Sequence, residues 1–558
     1  MFIKTTRTKG REYIKLVESY RDENNVTRHN VLFNFGRTDF IKNNKSFINV
    51  VKRLCEVAEI GITDGKPSFN CSDAQMFSYA YLPYLKLWES LGIGNCLRRI
   101  QEQTRCEYSL NDTAFLMVVQ HLLLPKSKLS TYEYQGNYIG LKEIELHQLY
   151  RALERIGEYK EVIEDELFNE NYAKVGHAVD VVFYDVTTFA FESVIADELK
   201  NFGFSKDCKF NEVQVVMGLL VDSNGLPIGY ELFPGNTFDG KTMMAALKNI
   251  GKRFGINKVV IVADRGLNSK GNLQAIKEAG YGYIVASRIK TMKKSVQEQI
   301  FDKRDYVRIS DDLRCKTIDY TNTFKDENGK VHNLAENLIV SHSEKRARKD
   351  YHDRQRLVEK AMRLLGKPGS IKSSNKRGGK KYLMETDKET TFCLDEKLIE
   401  KDIQFDGYYG IVTSEKDMSA VEIIEAYHSL WRIEESFRIM KSTLEVRPIF
   451  HWKPHRIRGH FVVCFLAFML ERRLELLLNE HEIENSPNKI RDALNSLQLA
   501  NITLNGEEVY IKTKNHPLSN HIFKILKLKH PGNVSNREQL SNMLSVSKKK
   551  SWGQLSLF

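Results

Sequence analysis

Between residues 181 and 286 the sequence carries five apolar β-type runs, and their spacing restricts the fold more than any other feature. Val181-Val-Phe-Tyr184 is followed by Val213-Gln-Val-Val-Met-Gly-Leu-Leu-Val221 and then, across Asp222-Ser-Asn-Gly225, by Ile228-Gly-Tyr-Glu-Leu-Phe233. An Asn-Gly step between two such runs predicts a hairpin. Helical periodicity over 241–254 separates these from Val259-Val-Ile-Val-Ala263, and a second helical stretch, 270–279, precedes Tyr283-Ile-Val-Ala286. Runs this continuous in apolar residues belong to strands covered on both faces.

Three strands in meander followed by alternating helix and strand predict an α/β fold with a ribonuclease H-like core, here assigned to 176–287 and 416–480. The range 288–415 breaks that order with short strand-like runs, a charged helix near Glu344 to Leu365 and a Gly/Ser/Lys loop, and is expected to be a β-rich insertion domain. Upstream, residues 1–37 alternate apolar and polar around Asp22-Glu-Asn-Asn25, as a small antiparallel sheet would. Residues 38–175 turn helical, with Asp112 as the expected cap of the helix through Thr113-Ala-Phe-Leu-Met-Val-Val-Gln-His-Leu122. Residues 481–558 form a polar C-terminal region.

Composition narrows the class of partner. The chain of 558 residues has 84 basic against 72 acidic side chains, a formal charge of +12, which favours a polyanion. The eight cysteines form no CxxC pair, which argues against a zinc ribbon and against a disulfide framework. The apolar stretch His460-Phe-Val-Val-Cys-Phe-Leu-Ala-Phe-Met-Leu470 is too short to cross a bilayer, and no charged-then-apolar leader opens the chain. A cytoplasmic, nucleoid-associated protein with no membrane partner is expected.

Two aspartates stand in settings that suggest metal chemistry. Asp185 follows Val181–Tyr184 and Asp264 follows Val259–Ala263, so each is expected at the end of a buried strand, on the sheet rim. On neighbouring strands the two would converge, and paired hard oxygens suit Mg2+ or Mn2+. A single aspartate after a strand more often begins a turn or caps a helix. A third carboxylate comes from Tyr427-His-Ser-Leu-Trp-Arg-Ile-Glu-Glu-Ser-Phe-Arg-Ile-Met-Lys441. On one continuous helix seven residues turn through roughly 700°, which puts Tyr427, Glu434 and Lys441 on one face with Arg438 beside them. Ordinary i,i+4 ion pairs on a solvated face are the plain alternative. Trp431, Ile433 and Phe437 are expected to pack another face into the core, and Glu435, rotated by roughly 100°, is the weaker rival for a metal.

These segments resemble a known family. Tyr184-Asp-Val-Thr-Thr188, Gly235-Asn-Thr237, Val262-Ala-Asp-Arg-Gly266, Tyr427…Trp431-Arg-Ile-Glu-Glu-Ser-Phe-Arg…Lys441 and Arg447-Pro-Ile-Phe-His-Trp-Lys-Pro454 are similar to bacterial insertion-sequence DDE transposases. The resemblance is to the insertion-sequence-four superfamily, in its sixteen-thirty-four branch, over residues 1 to 480. It implies catalytic, metal-holding roles for Asp185, Asp264 and Glu434, with two Mg2+ or Mn2+ ions. It also implies phosphate contacts from Tyr427 and Lys441. Leu430 stands where many relatives carry an arginine, which leaves Arg432 and Arg438 as the candidate cations. The implied activity is metal-dependent cleavage at the inverted repeats ending an element and strand transfer into target DNA, performed by a homodimer, in many relatives through a DNA hairpin. The alternatives are a ribonuclease H-like structure-specific nuclease and a domesticated DNA-binding protein without catalysis.

Basic segments at Glu344-Lys-Arg-Ala-Arg-Lys349 and Ser370-Ile-Lys-Ser-Ser-Asn-Lys-Arg-Gly-Gly-Lys-Lys381 are candidate phosphate clamps, while Tyr408 and Tyr409 have no assigned role. Finally, Gln554, Leu555, Ser556, Leu557 and Phe558 resemble the peptide by which bacterial proteins bind the replicative sliding clamp, with apolar anchors for a pocket and Gln554 for hydrogen bonds.

Overall fold

The computed structural model describes residues 2–549 except 9, 23–25, 59–68, 174–180, 204–210, 238–241, 243–244, 247–248, 250–252, 255–259, 264–268, 326–329, 367–377, 387–391, 448 and 505–506. At the N-terminus β1 (Phe2–Thr8), β2 (Arg11–Arg21) and β3 (Thr27–Arg37) form a three-stranded antiparallel sheet. The following region is not wholly helical as expected, because β4 (Phe69–Ser78) interrupts it. This strand pairs antiparallel with β16 (Gln498–Leu504), and β17 (Glu507–Lys512) and β18 (Val534–Asn536) complete a four-stranded sheet. Its partner lies near the other end of the chain, so no local hairpin signal announces it.

The five apolar runs become β5 (Val181–Ala190), β6 (Gln214–Asp222), β7 (Pro227–Pro234), β8 (Val260–Ala263) and β9 (Gly282–Ala286). The first three are an antiparallel meander. At the β6–β7 turn Gly225 has φ of 80° and donates its N–H to the Asp222 carbonyl at 3.0 Å, a left-handed position that suits glycine. β8 lies parallel to β5 and to β9, and the helix Lys270–Glu278 makes the crossover between β8 and β9. Most of the helix expected over 241–254 falls outside the described residues.

The range 288–415 does not build a sheet apart from this one. β10 (Val307–Arg308), β11 (Leu313–Lys325), β12 (Val331–Ser343) and β15 (Tyr408–Thr413) extend it to nine strands in the order β10-β11-β12-β15-β9-β8-β5-β6-β7. Only the short hairpin of β13 (Leu383–Glu385) and β14 (Phe392–Leu394) stands separately within it. The charged helix runs over Glu344–Leu365, capped by the Ser343 hydroxyl, which accepts the Arg346 N–H.

Alternation along β5 divides the core. Phe183 and Phe189 point to one side, into a cluster with Ile433, Phe437 and Phe461, while Val182, Tyr184 and Val186 point to the other, with Leu273 and Ile276 of the crossover helix. The first side is built around the helix Pro454–Glu480, apolar on nearly every face and buried along most of its length. N-terminal helices Leu146–Glu158 and Leu110–Leu123 pack against it. The second of these is capped by Ser109, whose hydroxyl accepts the Asp112 N–H at 3.2 Å; the expected cap, Asp112, sits in the first turn instead. No helix among the described residues is long and apolar enough to cross a membrane.

Candidate active site

Asp185 is not at a strand end. β5 continues through Val186-Thr-Thr-Phe-Ala190, a stretch rich in residues suited to the pleated sheet, and Asp185 pairs with Leu219 in its middle. What distinguishes the position is its second neighbour. Among the described residues the parallel register with β8 runs Val181 with Val260, Val182 with Ile261 and Phe183 with Val262. Asp185 follows two residues on, half-buried in a sheet whose adjacent positions are buried. Its odd number puts it on the face of Phe183 and Phe189.

That same face receives the helix Trp431–Arg438, which packs on β5 and β6 through Ile433 and Phe437. Glu434 belongs to this helix and is exposed beside the packed residues. The structure thus brings the elements bearing Asp185 and Glu434 into contact. Asp264 lies outside the described residues. Among the described residues no group of three His, Cys, Asp or Glu side chains is arranged to hold a metal ion.

The segment Tyr427 to Lys441 is not one continuous α-helix. A helix Ala420–His428 ends, Ser429 and Leu430 form a turn, a second helix runs over Trp431–Arg438, and Ile439–Thr443 is a π-helical turn. At the junction Leu430, Arg432 and Ile433 donate their N–H groups to the carbonyls three residues back, at 3.1, 3.0 and 3.2 Å, which tightens the winding. The even 100° step behind the shared-face expectation therefore does not hold through the junction. Trp431 also departs from expectation: it is 52% exposed, with the Arg432 guanidinium 5.5 Å from its ring centroid. Leu430 is buried in the core cluster.

The remaining charged residues are distributed unequally. Glu435 is paired with Arg438 at 3.1 Å and with Arg472 at 3.4 Å, and Arg472 also holds Glu475 at 2.7 Å. Arg432 acts on Asp222, whose carboxyl burial pushes up. Lys441 lies 5.8 Å from the centroid of Phe189, on the Asp185 side of β5. Tyr427 accepts a hydrogen bond from the Tyr409 hydroxyl at 2.8 Å, and the Arg346 guanidinium stands 4.4 Å from the Tyr409 ring centroid. Sequence reading missed this Arg346–Tyr409–Tyr427 stack. It joins three distant segments, and no periodicity or motif points to such a contact. The other basic stretch, 370–381, lies mostly outside the described residues, as does 554–558.

Comparison with known proteins adds a family. Residues 180–470 match the family described as "Transposase DDE domain", and residues 3–60 match "IS1634 family transposase, N-terminal domain". Among curated proteins none matches the chain. Among solved structures, one titled "Cryo-EM structure of piggyBac transposase synaptic complex with hairpin DNA" superposes with a TM-score of 0.35 at 8% identity, covering 77% of this chain and 82% of that one. A superposition at that level leaves the fold to be read from this chain's own strand order.

Proposed function

This chain belongs to the DDE transposase family, in its IS1634 branch, and from that premise we propose that Asp185, Asp264 and Glu434 form the site where DNA is cut and joined. A single observation carries this reading: the helix of Glu434 is packed on the face of β5 that presents Asp185. In the sequence Asp264 directly follows β8, the strand that lies parallel to β5, and Val260 and Val262 of β8 point to the Asp185 side. A meander followed by two parallel strands with a helical crossover supports a ribonuclease H-like core.

The donor set fits hard divalent cations, since carboxylate oxygens suit Mg2+ or Mn2+ and a DNA phosphate and water complete their shells. Two such ions, when bound, supply activation of water or of a DNA 3′-hydroxyl and stabilisation of the departing oxygen. Asp185 is carried by a strand inside the sheet and Glu434 by a helix packed on it, so the backbone positions of both carboxylates are set before DNA binds. Lys441 and Arg438 are the cations for the scissile phosphate, with Tyr427 oriented by Tyr409. Arg432 is the weaker candidate, since its guanidinium stands against the Trp431 ring. Arg346 brings a charge from the helix Glu344–Leu365 toward the same tyrosines and is a further candidate for the role that Leu430 does not fill.

The substrates are double-stranded DNA carrying the element's inverted repeats and a target duplex, handled by a dimer in a bacterial cytoplasm. Residues 38–175 read the ends, and 288–415 acts as the insertion within the core. Incubated with its own ends and Mg2+, the protein should cut at their termini and join the freed 3′-hydroxyls to a target plasmid, and a chelator should stop both. Absence of cleavage with either Mg2+ or Mn2+ would leave only a DNA-binding role. Gln554-Leu-Ser-Leu-Phe558 is proposed as a sliding-clamp peptide on its sequence alone. Deletion of 554–558 should remove clamp capture, and undiminished capture would refute it.

A further inference from the structure

A cavity of about 290 Å³ opens between the N-terminal helices and the loop that precedes Pro454. Its wall carries Lys126, Ser127, Lys128 and Ser130 from one side and Phe450 and His451 from the other. Lys128 begins the short helix Lys128–Tyr134 and is only 4% exposed. The groups that face it are three imidazoles, His121, His451 and His460, and the Cys464 thiol. Burial pushes the His121 and His451 rings down to about 3 and the His460 ring well below its ordinary value, and Lys128 adds to each. All three imidazoles are therefore neutral near pH 7 and offer the ammonium no countercharge. Glu445 also lines the cavity, but no carboxylate of a described residue pairs with Lys128.

A buried ammonium without an anion is costly, and burial pulls Lys128 down to about 8. The neighbouring side chains supply what an anion needs besides charge: two serine hydroxyls and, at the mouth, the exposed Lys126. The volume holds several waters, hence a tetrahedral oxyanion with part of its solvent, at roughly 30 Å³ per water. Phe450 at the rim is 59% exposed and Trp452 beyond it 66%, both on the segment 447–453. A second cavity shares Phe450 and His451 and continues to Phe191 and Lys200, just past the C-terminal end of β5. From Phe191 back to Asp185 is six residues of extended chain, roughly 20 Å.

We propose that this cavity is a phosphate-binding site centred on Lys128, filled by a backbone phosphate of DNA that passes the Phe450–Trp452 rim. The phosphate chemistry stands on the cavity itself; its assignment to DNA rests on the transposase reading above. The rim aromatics offer faces for bases of a strand held at that phosphate. Free phosphate is the other source of the same chemistry, and the experiment separates them.

Full-length protein and Lys128→Met are compared in two assays. Methionine removes an unpaired buried charge and keeps most of the volume, so the variant should fold with a Tm in chloride equal to or above that of the wild type. In the first assay, inorganic phosphate replaces chloride at matched ionic strength and should raise the Tm of the wild type more than that of Lys128→Met. In the second, a labelled duplex is titrated over a range of salt. Lys128→Met should bind about tenfold more weakly, with the slope of log K against log salt reduced by about one. Equal phosphate stabilisation together with equal DNA affinity in both proteins would overturn the proposal. A phosphate effect lost in the variant with DNA affinity unchanged would assign the site to free phosphate and overturn its assignment to DNA. Neither assay requires cleavage, so a failure of the catalytic reading is distinguishable from a failure of this one.

Discussion

Glu434→Gln should abolish Mg2+-dependent cleavage of the element ends, by about a thousandfold or more, while Glu435→Gln should keep cleavage within about tenfold of wild type. The two residues are adjacent and chemically identical, so composition and net charge cannot separate them. Their surroundings do. Glu435 is held by Arg438 and Arg472, and Arg472 in turn by Glu475, a partly buried ion-pair network that ties the helix Trp431–Arg438 to the helix Pro454–Glu480. Its carboxylate already has cationic partners, and neutralising it should show in thermal stability. Glu434 is exposed one residue earlier, on a helix packed against the strand of Asp185. A site that needs a carboxylate oxygen for a cation loses charge and basicity with an amide, and several kcal/mol of transition-state stabilisation go with it. DNA binding by Glu434→Gln should be unchanged. Equal losses in both variants would mean that the helix, rather than a particular carboxylate, carries the effect.

The second large effect is on stability and arises far from the carboxylates. Leu146–Glu158 and Pro454–Glu480 cross at Gly157 and Gly459, where a Cβ on Gly459 would fall inside the van der Waals shell of the Leu153 carbonyl, and one on Gly157 would lie 2.9 Å from the Gly459 nitrogen. Both obstacles are backbone atoms and cannot rotate away, so the helices must separate. Gly459→Ala should therefore destabilise by on the order of 3 kcal/mol, with a fall in Tm of roughly 3 °C. Ordinary helix propensity would predict the reverse, since alanine is favoured over glycine in a helix. Gly271→Ala in the crossover helix is the control: nothing lies within 4 Å of the added carbon, and its Tm should hold or rise. Because the helix Pro454–Glu480 bridges the N-terminal helices to the sheet, the loss should appear as reduced soluble yield as well.

Several elements were legible in the sequence for reasons that operate locally. The five buried runs from 181 to 286 all became strands, four of them and the helix Glu344–Leu365 within a few residues of the expected bounds, because continuous apolar composition and helical charge patterning are properties of a short window. What failed was non-local. β4 finds its partner in β16, and the strands β11, β12 and β15 attach to the edge of β9, pairings that depend on where distant segments end up. Asp185 was expected at the end of its strand, but Thr187 and Thr188 carry β5 on to Ala190 and leave the carboxylate half-buried in mid-strand. Periodicity also assumed one helix from Tyr427 to Lys441, where a tight junction at Leu430 and a π-turn after Arg438 change the phase. Trp431 was expected inside and stands at the surface for the same reason. The hydroxyl pair of Tyr409 and Tyr427 had no signal at all in either local segment.

The central claim is that Asp185 acts with Asp264 and Glu434 at one metal-dependent centre. It is tested most directly by end cleavage in Mg2+ with wild type, Asp185→Ala and Asp264→Ala side by side, each first shown to bind the element ends as wild type does. Both variants should bind the ends and cut them at least about a thousandfold more slowly. Cleavage at the wild-type rate by Asp185→Ala, in a protein that binds DNA normally, would contradict the account.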